Sequence, residues 1–219
     1  MYRCKAFSKP MNFEDKLVES VEMCLNGNNI KRENIVNIKT FSENGYIFLH
    51  DYLGGMTMRA IYAGSFNPIH TGHLDIIRRA AKSFDEVLVL VCDNSNKGYK
   101  VSKDARMRLV KTAIKMCCLP NNVEVKILPA GQAVAQYAQE WDYDILIRGI
   151  RSNADLAVEM EMAAVNRTLG YDTVFFPTKA PYSNISSSTI RECVKYNISI
   201  GQYLTPGLEE KVKELYGHE

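Results

Sequence analysis

Two of the chain's four histidines stand three residues apart in AGSFNPIHTGHLDII, the stretch from Ala63 to Ile77. An apolar run precedes them, and a helix-forming run follows. A turn that leaves a strand and enters a helix aims backbone N–H groups outward. The positive end of the helix adds to that field, so Gly64, Ser65 and Phe66, with Pro68 and Gly72 shaping the entry, form an anion cradle. A protonated His73 in the first helical turn would oppose the dipole, and a bound polyphosphate would reverse that local sign. The His-x-x-His pair has no further ligand types beside it to complete a zinc set, so no metal-ligating residue is assigned.

Two other stretches carry the same chemistry. In RGIR, Arg148 and Arg151 enclose Gly149 and Ile150, and a planar guanidinium matches phosphate oxygens two at a time. In YSNISSSTIR, the hydroxyl and amide groups of Tyr182, Ser183, Asn184, Ile185, Ser186, Ser187 and Ser188 gather just before a helix, another donor-rich N-terminus. Lys97, in a loop with Asn94, Asn96 and Gly98, adds a further cation. Each element read alone is a surface charge or a capping turn. Together they point to one phosphate-binding site.

To act together, these loops must leave one edge of a sheet. RAIYAG (Arg59 to Gly64), EVLVLVC (Glu86 to Cys92), VEVKIL (Val123 to Leu128), DYDILIRG and DTVFFP read as strands. Helical patterns alternate with them: Gly72 to Ser83, Ser102 to Cys117, Gly131 to Trp141, and a long helix from Ser152 or Asn153 stopped by Gly170. SSSTIRECVKYN and TPGLEEKVKELYG close the chain as two more helices, the second opened by Pro206. This alternation predicts an α/β fold, an open doubly wound five-stranded parallel sheet. Ligands bind such sheets beyond the carboxyl ends of the strands, where strand order reverses. The phosphate-style loops fall at those ends.

Residues 1–57 differ. Phe13, Leu17, Val21 and Leu25 form a helical stripe, and Asn44-Gly45 joins two strand-like runs as a hairpin. The expected organisation is a small N-terminal α+β extension of unreadable function over 1–57 and a catalytic domain over 58–219.

GSFNPIHTGH is similar to the T/HxGH signature of the nucleotidyltransferase superfamily. RGIRSNADLAVEMEMAAVNRTL followed by ISSSTIRECV resembles the phosphopantetheine adenylyltransferase family, from about Met58 to the C-terminus. The resemblance implies a Rossmann-like nucleotidyltransferase fold and magnesium-dependent adenylyl transfer from ATP to 4′-phosphopantetheine, giving dephospho-coenzyme A and pyrophosphate. It implies that Ser65 contacts both substrates and that Phe66, Gly149, Ile150, Arg151, Glu159 and Tyr182 to Ser188 bind ATP. His73 would bind ATP and stabilise the transition state, while Lys97 and Arg148 hold the acceptor. Related enzymes are hexamers, so a homo-oligomer is expected. Two positions depart from the pattern: His70 stands where most members have threonine, and Ala133 and Val134 stand where larger aliphatics line the pantetheine arm. Nicotinamide or nicotinate mononucleotide adenylyltransferases share GSFNPIHTGHL and an ISSSTIR-like ending. They and a catalytically inactive nucleotide-binding regulator are the alternatives.

The expected mechanism follows from charge. A phosphate monoester is largely dianionic near neutral pH, since its second pKa is about 6, and needs no general base. His73, Lys97, Arg148 and magnesium are then the groups expected to stabilise charge on the α-phosphoryl group.

Composition sets the outer bounds. The 219 residues are 46% hydrophobic and 24% charged with a net charge of +2, which gives no argument for nucleic-acid or membrane partners. Six cysteines without CxxC spacing, and no signal-peptide core after Met1, predict reduced thiols and a cytoplasmic protein.

Overall fold

Alternation along the two central strands divides their side chains between two hydrophobic cores. In β1 (Arg59–Gly64), Ala60 and Tyr62 face one core while Ile61 and Ala63 face the other. In β2 (Glu86–Val91), Val87, Val89 and Val91 join the first core and Leu88 and Leu90 the second. Strands covered on both faces read as continuous apolar runs because every side chain is inside. β3 (Val123–Ile127), β4 (Ile145–Ile150) and β5 (Asp172–Pro177) complete a five-stranded parallel sheet in the order β3-β2-β1-β4-β5. This computed structural model describes residues 57–93 and 98–217. The predicted N-terminal helix and hairpin, and Lys97, lie outside the described residues.

Strand order reverses between β1 and β4. The chain leaves β1 toward β2 and leaves β4 toward β5, so the loops after β1 and β4 part to opposite sides and leave a crevice. Helices α1 (Thr71–Ser83) and α2 (Lys103–Met116) cover the first core through Leu74, Ile77, Ala80, Leu109, Val110 and Ala113. The last two helices, α5 (Ser187–Lys195) and α6 (Glu209–Tyr216), return over the same face with Ile190, Val194, Val212 and Tyr216. On the second core lies the short α3 (Val134–Glu140) with Tyr137 and Ala138. α4 (Asn153–Thr168) bridges β4 and β5. Each fully buried Val, Leu or Ile contributes about 1.5–3 kcal/mol, which places most of the stabilisation on the larger first core.

Serines start three of the helices. Ser102, Ser152 and Ser186 accept the backbone N–H of Ala105, Asp155 and Thr189 at 3.3, 3.2 and 3.0 Å, satisfying donors that the helix leaves unpaired. The alternation of five strands and their helices stands as expected, with differences at ends. Gly131 adopts φ +77° and Ala133 is extended, so α3 starts at Val134 and is shorter than its apolar pattern suggests. Gly207, at φ +85°, interrupts the chain after Pro206. Consequently α6 begins at Glu209 behind Leu208, and Pro206 lies outside it. Two single 3-10 turns, Ala180–Tyr182 and Gly201–Tyr203, carry no periodic signal.

Candidate active site

A cavity of about 590 Å³ opens at the switch point between β1 and β4. It gathers Ser65 and His73 from the β1–α1 turn, Arg148, Gly149 and Arg151 from the end of β4, and Glu159 from α4. Tyr182, Ser186, Ser187 and Ser188 close it from the β5–α5 side. The sequence motifs thus converge. Phe66, Ile150, Ser183, Asn184 and Ile185 do not line it. Ile185 is core, and its carbonyl accepts from Arg151 Nη1 at 3.4 Å. Val134 begins α3 and packs against the second core.

The β1–α1 turn is held from below and behind. Phe66, at φ +43°, is 1% exposed, and its ring meets His73 edge-on at 5.1 Å. It therefore supports the imidazole from the core and leaves only its main chain at the turn. Behind the turn, Arg191 Nη1 donates to Asn67 O at 2.5 Å and Ser187 Oγ to Pro68 O at 2.8 Å. Tyr216 OH donates to Asn67 Oδ1 at 2.8 Å, and Thr71 Oγ1 to Tyr203 O at 3.2 Å. The C-terminal helices thereby anchor the β1–α1 turn.

His70 and His73 cap α1 reciprocally. His73 Nδ1 accepts the His70 backbone N–H at 3.3 Å, and His70 Nδ1 accepts that of His73 at 3.4 Å. With Nδ1 accepting in both rings, each imidazole carries its proton on Nε2. The rings stack at 3.7 Å. Burial, with Arg151 adding to it, pushes the His70 pKa down to about 3. Burial first, then His70 and Arg151, holds His73 well below the ordinary histidine value. Both are neutral at pH 7. The His73 expected to stabilise phosphoryl charge is therefore a neutral Nε2–H donor at the cavity wall.

The two arginines are each matched by an acid on α4. Arg148 Nε lies 3.4 Å from Glu159 Oε2. Arg151 Nε and Nη2 reach Asp155 Oδ2 and Oδ1 at 2.9 and 3.2 Å. Guanidiniums held by partly exposed carboxylates can exchange them for phosphate oxygens. Burial raises the Tyr62 pKa, so its hydroxyl stays protonated at the cavity wall.

Sequence reasoning passed over several lining residues: Tyr62, Asn67, Lys100, Asp155 and Arg191 among them. Arg191 was within reach, because it follows Ser187 by four positions and so lies on the same helix face. Tyr62 reads as an ordinary strand residue, and no local signal marks it.

The cytidylyltransferase-like family model matches residues 61–193, a span holding both histidines, RGIR and the serines of α5. The chain is also 35% identical over 158 residues to a phosphopantetheine adenylyltransferase of Coprothermobacter proteolyticus, covering 71% of this chain and 95% of that protein. The chain belongs to the phosphopantetheine adenylyltransferase family. It is therefore a nucleotidyltransferase. Two solved structures share the fold of this adenylyltransferase. A putative nicotinate-nucleotide adenylyltransferase from Vibrio parahaemolyticus has a TM-score of 0.55 at 21% identity, covering 72% of this chain and 99% of that one. A Plasmodium falciparum nicotinic acid mononucleotide adenylyltransferase complexed with NaAD has a TM-score of 0.58 at 14% identity, covering 73% and 96%. In this adenylyltransferase, no helix of the described residues is long and apolar enough to cross a membrane.

Proposed function

We propose that the chain transfers the adenylyl group of ATP to the phosphate of 4′-phosphopantetheine, giving dephospho-coenzyme A and pyrophosphate in coenzyme A biosynthesis. The observation that carries this reading is the convergence of Ser65, His73, the RGIR arginines and the α5 serines on one cavity, in a chain 35% identical to a protein of that name. An acceptor phosphate oxygen attacks the α-phosphorus in line, and the bond to the bridging oxygen breaks to release pyrophosphate. The acceptor is already an anion, so no base is needed.

His73 Nε2–H donates to the phosphoryl oxygens, most strongly as charge builds on them. Neutrality suits this role, because the donor needs no counterion before the substrate arrives. Arg148 turns from Glu159 to the acceptor phosphate, Lys97 holds the acceptor by family resemblance, and Arg151 turns from Asp155 to ATP. Ser65, the main chain of Phe66 and the first-turn N–H groups of α5 complete the nucleotide cradle. By family resemblance Val134 would line the pantetheine arm, although its side chain packs against the second core.

Among the described residues no group of three or more metal-ligating side chains exists, and Asp155 and Glu159 each face an arginine. The chain thus fits a magnesium ion carried on the polyphosphate rather than one in a protein cage. Such an ion would neutralise phosphate charge.

The four described cysteines are free thiols, which supports a cytoplasmic setting. Val158, Met162 and Val165 expose 59, 44 and 53% of their area along one face of α4, which supports a homo-oligomer, a hexamer by family resemblance.

Pyrophosphate release tests the reading. It is expected with ATP, magnesium and 4′-phosphopantetheine. Release with nicotinate or nicotinamide mononucleotide alone would replace the acceptor, and no release with any of them would make the chain a nucleotide-binding regulator.

A further inference from the structure

Arg106 has no part in the chemistry above, yet its charge is 0% exposed. It projects from the first turn of α2 to the carboxyl ends of β1 and β2. Its Nη1 donates to Ser65 O at 2.6 Å and to Cys92 O at 3.4 Å. Its Nε donates to Val101 O at 3.1 Å, and its Nη2 donates to Asp93 Oδ1. The guanidinium lies 4.5 Å from the centre of the Tyr99 ring. Asp93 supplies the counter-charge and is also 3.9 Å from Lys103 Nζ.

A buried guanidinium paired to a half-exposed carboxylate is a poor way to stabilise a core, since apolar side chains of similar volume do as well or better. The arrangement of its acceptors supplies a different reason for this one. Three of them are main-chain carbonyls, and they belong to two different loops. Ser65 starts the turn after β1, which forms the nucleotide cradle. Cys92 and Val101 bracket the β2–α2 loop, whose Gly98, Tyr99 and Lys100 line the cavity. One planar group thus ties the two loops at fixed separation. A guanidinium points its N–H groups in several directions within a single rigid plane, and an ammonium on a flexible stem cannot reproduce that.

We propose that Arg106 is a positioning residue for adenylyl transfer: it holds the nucleotide-side turn after β1 and the acceptor-side loop after β2 at the spacing that in-line attack requires. This rests on the function proposed above. Positioning errors of about an ångström lower turnover on the order of 100-fold while leaving each substrate able to bind. Loss of Arg106 should therefore act on turnover per competent site more than on the number of sites.

The test uses the full-length chain. ATP titration counts binding-competent sites, and steady-state assays with ATP, magnesium and 4′-phosphopantetheine give kcat per site for wild type, Arg106→Lys, Arg106→Gln and Asp93→Asn. Arg106→Lys keeps the charge but not the fork, and kcat per site is expected to fall about 10- to 100-fold with the KM for ATP within about threefold. Asp93 has a 40% exposed side chain, so Asp93→Asn keeps the fold. It should lower kcat about three- to tenfold by weakening the clamp, and it decides the matter if neither Arg106 variant folds. Unchanged kcat per site alongside a lowered Tm or fewer competent sites would make Arg106 a stabilising residue only and overturn the proposal. A wild-type chain without turnover in the same assay would instead remove the functional reading, and this proposal with it.

Discussion

At the residue scale, the two histidines share a capping box but differ in exposure. His70 is 6% exposed and caps α1, whereas His73 is partly open to the cavity. If His73 Nε2–H acts on developing charge, His73→Ala should lower kcat about 100-fold or more, in line with loss of an oxyanion donor. ATP affinity, measured by titration, should change only a few-fold. His70 leaves a different signature. Its folded pKa of about 3 lies below the ordinary 6.5, so between those values the unfolded chain binds a proton that the folded chain refuses. Stability is then fully present above pH 6.5 and is lost as pH falls toward 3. The slope contributed by His70 reaches at most about 1.4 kcal/mol per pH unit. His70→Asn retains a capping oxygen and should flatten the fall of Tm between pH 7 and pH 5. An unchanged slope would show that other groups set the acid limit.

At the element scale, the site depends on how closely β4 approaches α1. A Cβ added at Gly149 would lie 2.4 Å from Ile76 Cδ1, and Ile76 is itself 4% exposed. Gly149→Ala must therefore displace the buried Ile76 side chain or move α1 from β4, and the cavity-lining Arg148 and Arg151 stand on either side of it. The expected cost is about 1–3 kcal/mol of stability, read from denaturant unfolding, together with reduced turnover. Ile76→Val removes the clashing methyl and alone costs about 0.5–1.5 kcal/mol. Combined with Gly149→Ala it should recover stability relative to the sum of the single changes. Strict additivity would mean that the contact does not limit the approach of helix and strand.

At the scale of the whole molecule, α4 is the outlier. Of its residues only Asn166 is buried, and Val158, Met162 and Val165 repeat at helical spacing on its outer face, with Leu169 just beyond. Apolar exposure of that extent is what the proposed homo-oligomer would cover. Met162→Glu should lower the solution mass measured by light scattering while the far-UV spectrum stays native. A mass unchanged from wild type would place the interface elsewhere. The N-terminal extension belongs to the same scale. β1 starts at Arg59, and Ser65, His73, Arg148 and Arg151, with the α5 serines, all follow it, so deleting residues 1–57 should leave most of the turnover. A folded but inactive truncation would show that the extension completes the site.

The sheet was legible in the sequence because strands buried on both faces must be apolar throughout, and EVLVLV is apolar apart from its first residue. The cavity-lining loops were legible because anion binding would need particular groups next to strand and helix ends, and Ser65, His73, Arg148, Arg151 and the α5 serines, which the structure gathers at one cavity, are local enough to be read in one pass. Only the tertiary structure decided the rest. Strand order is a non-local outcome, and it alone brings the loop after β1 beside the loop after β4. The charge state of His73 depends on burial and on Arg151, which stands far along the chain. Arg106 carries no motif of its own within the helical pattern from Ser102 to Cys117, and its meaning lies in three carbonyls from two loops. Sequence pattern reports what each segment needs, but desolvation and pairing are set by which segments meet.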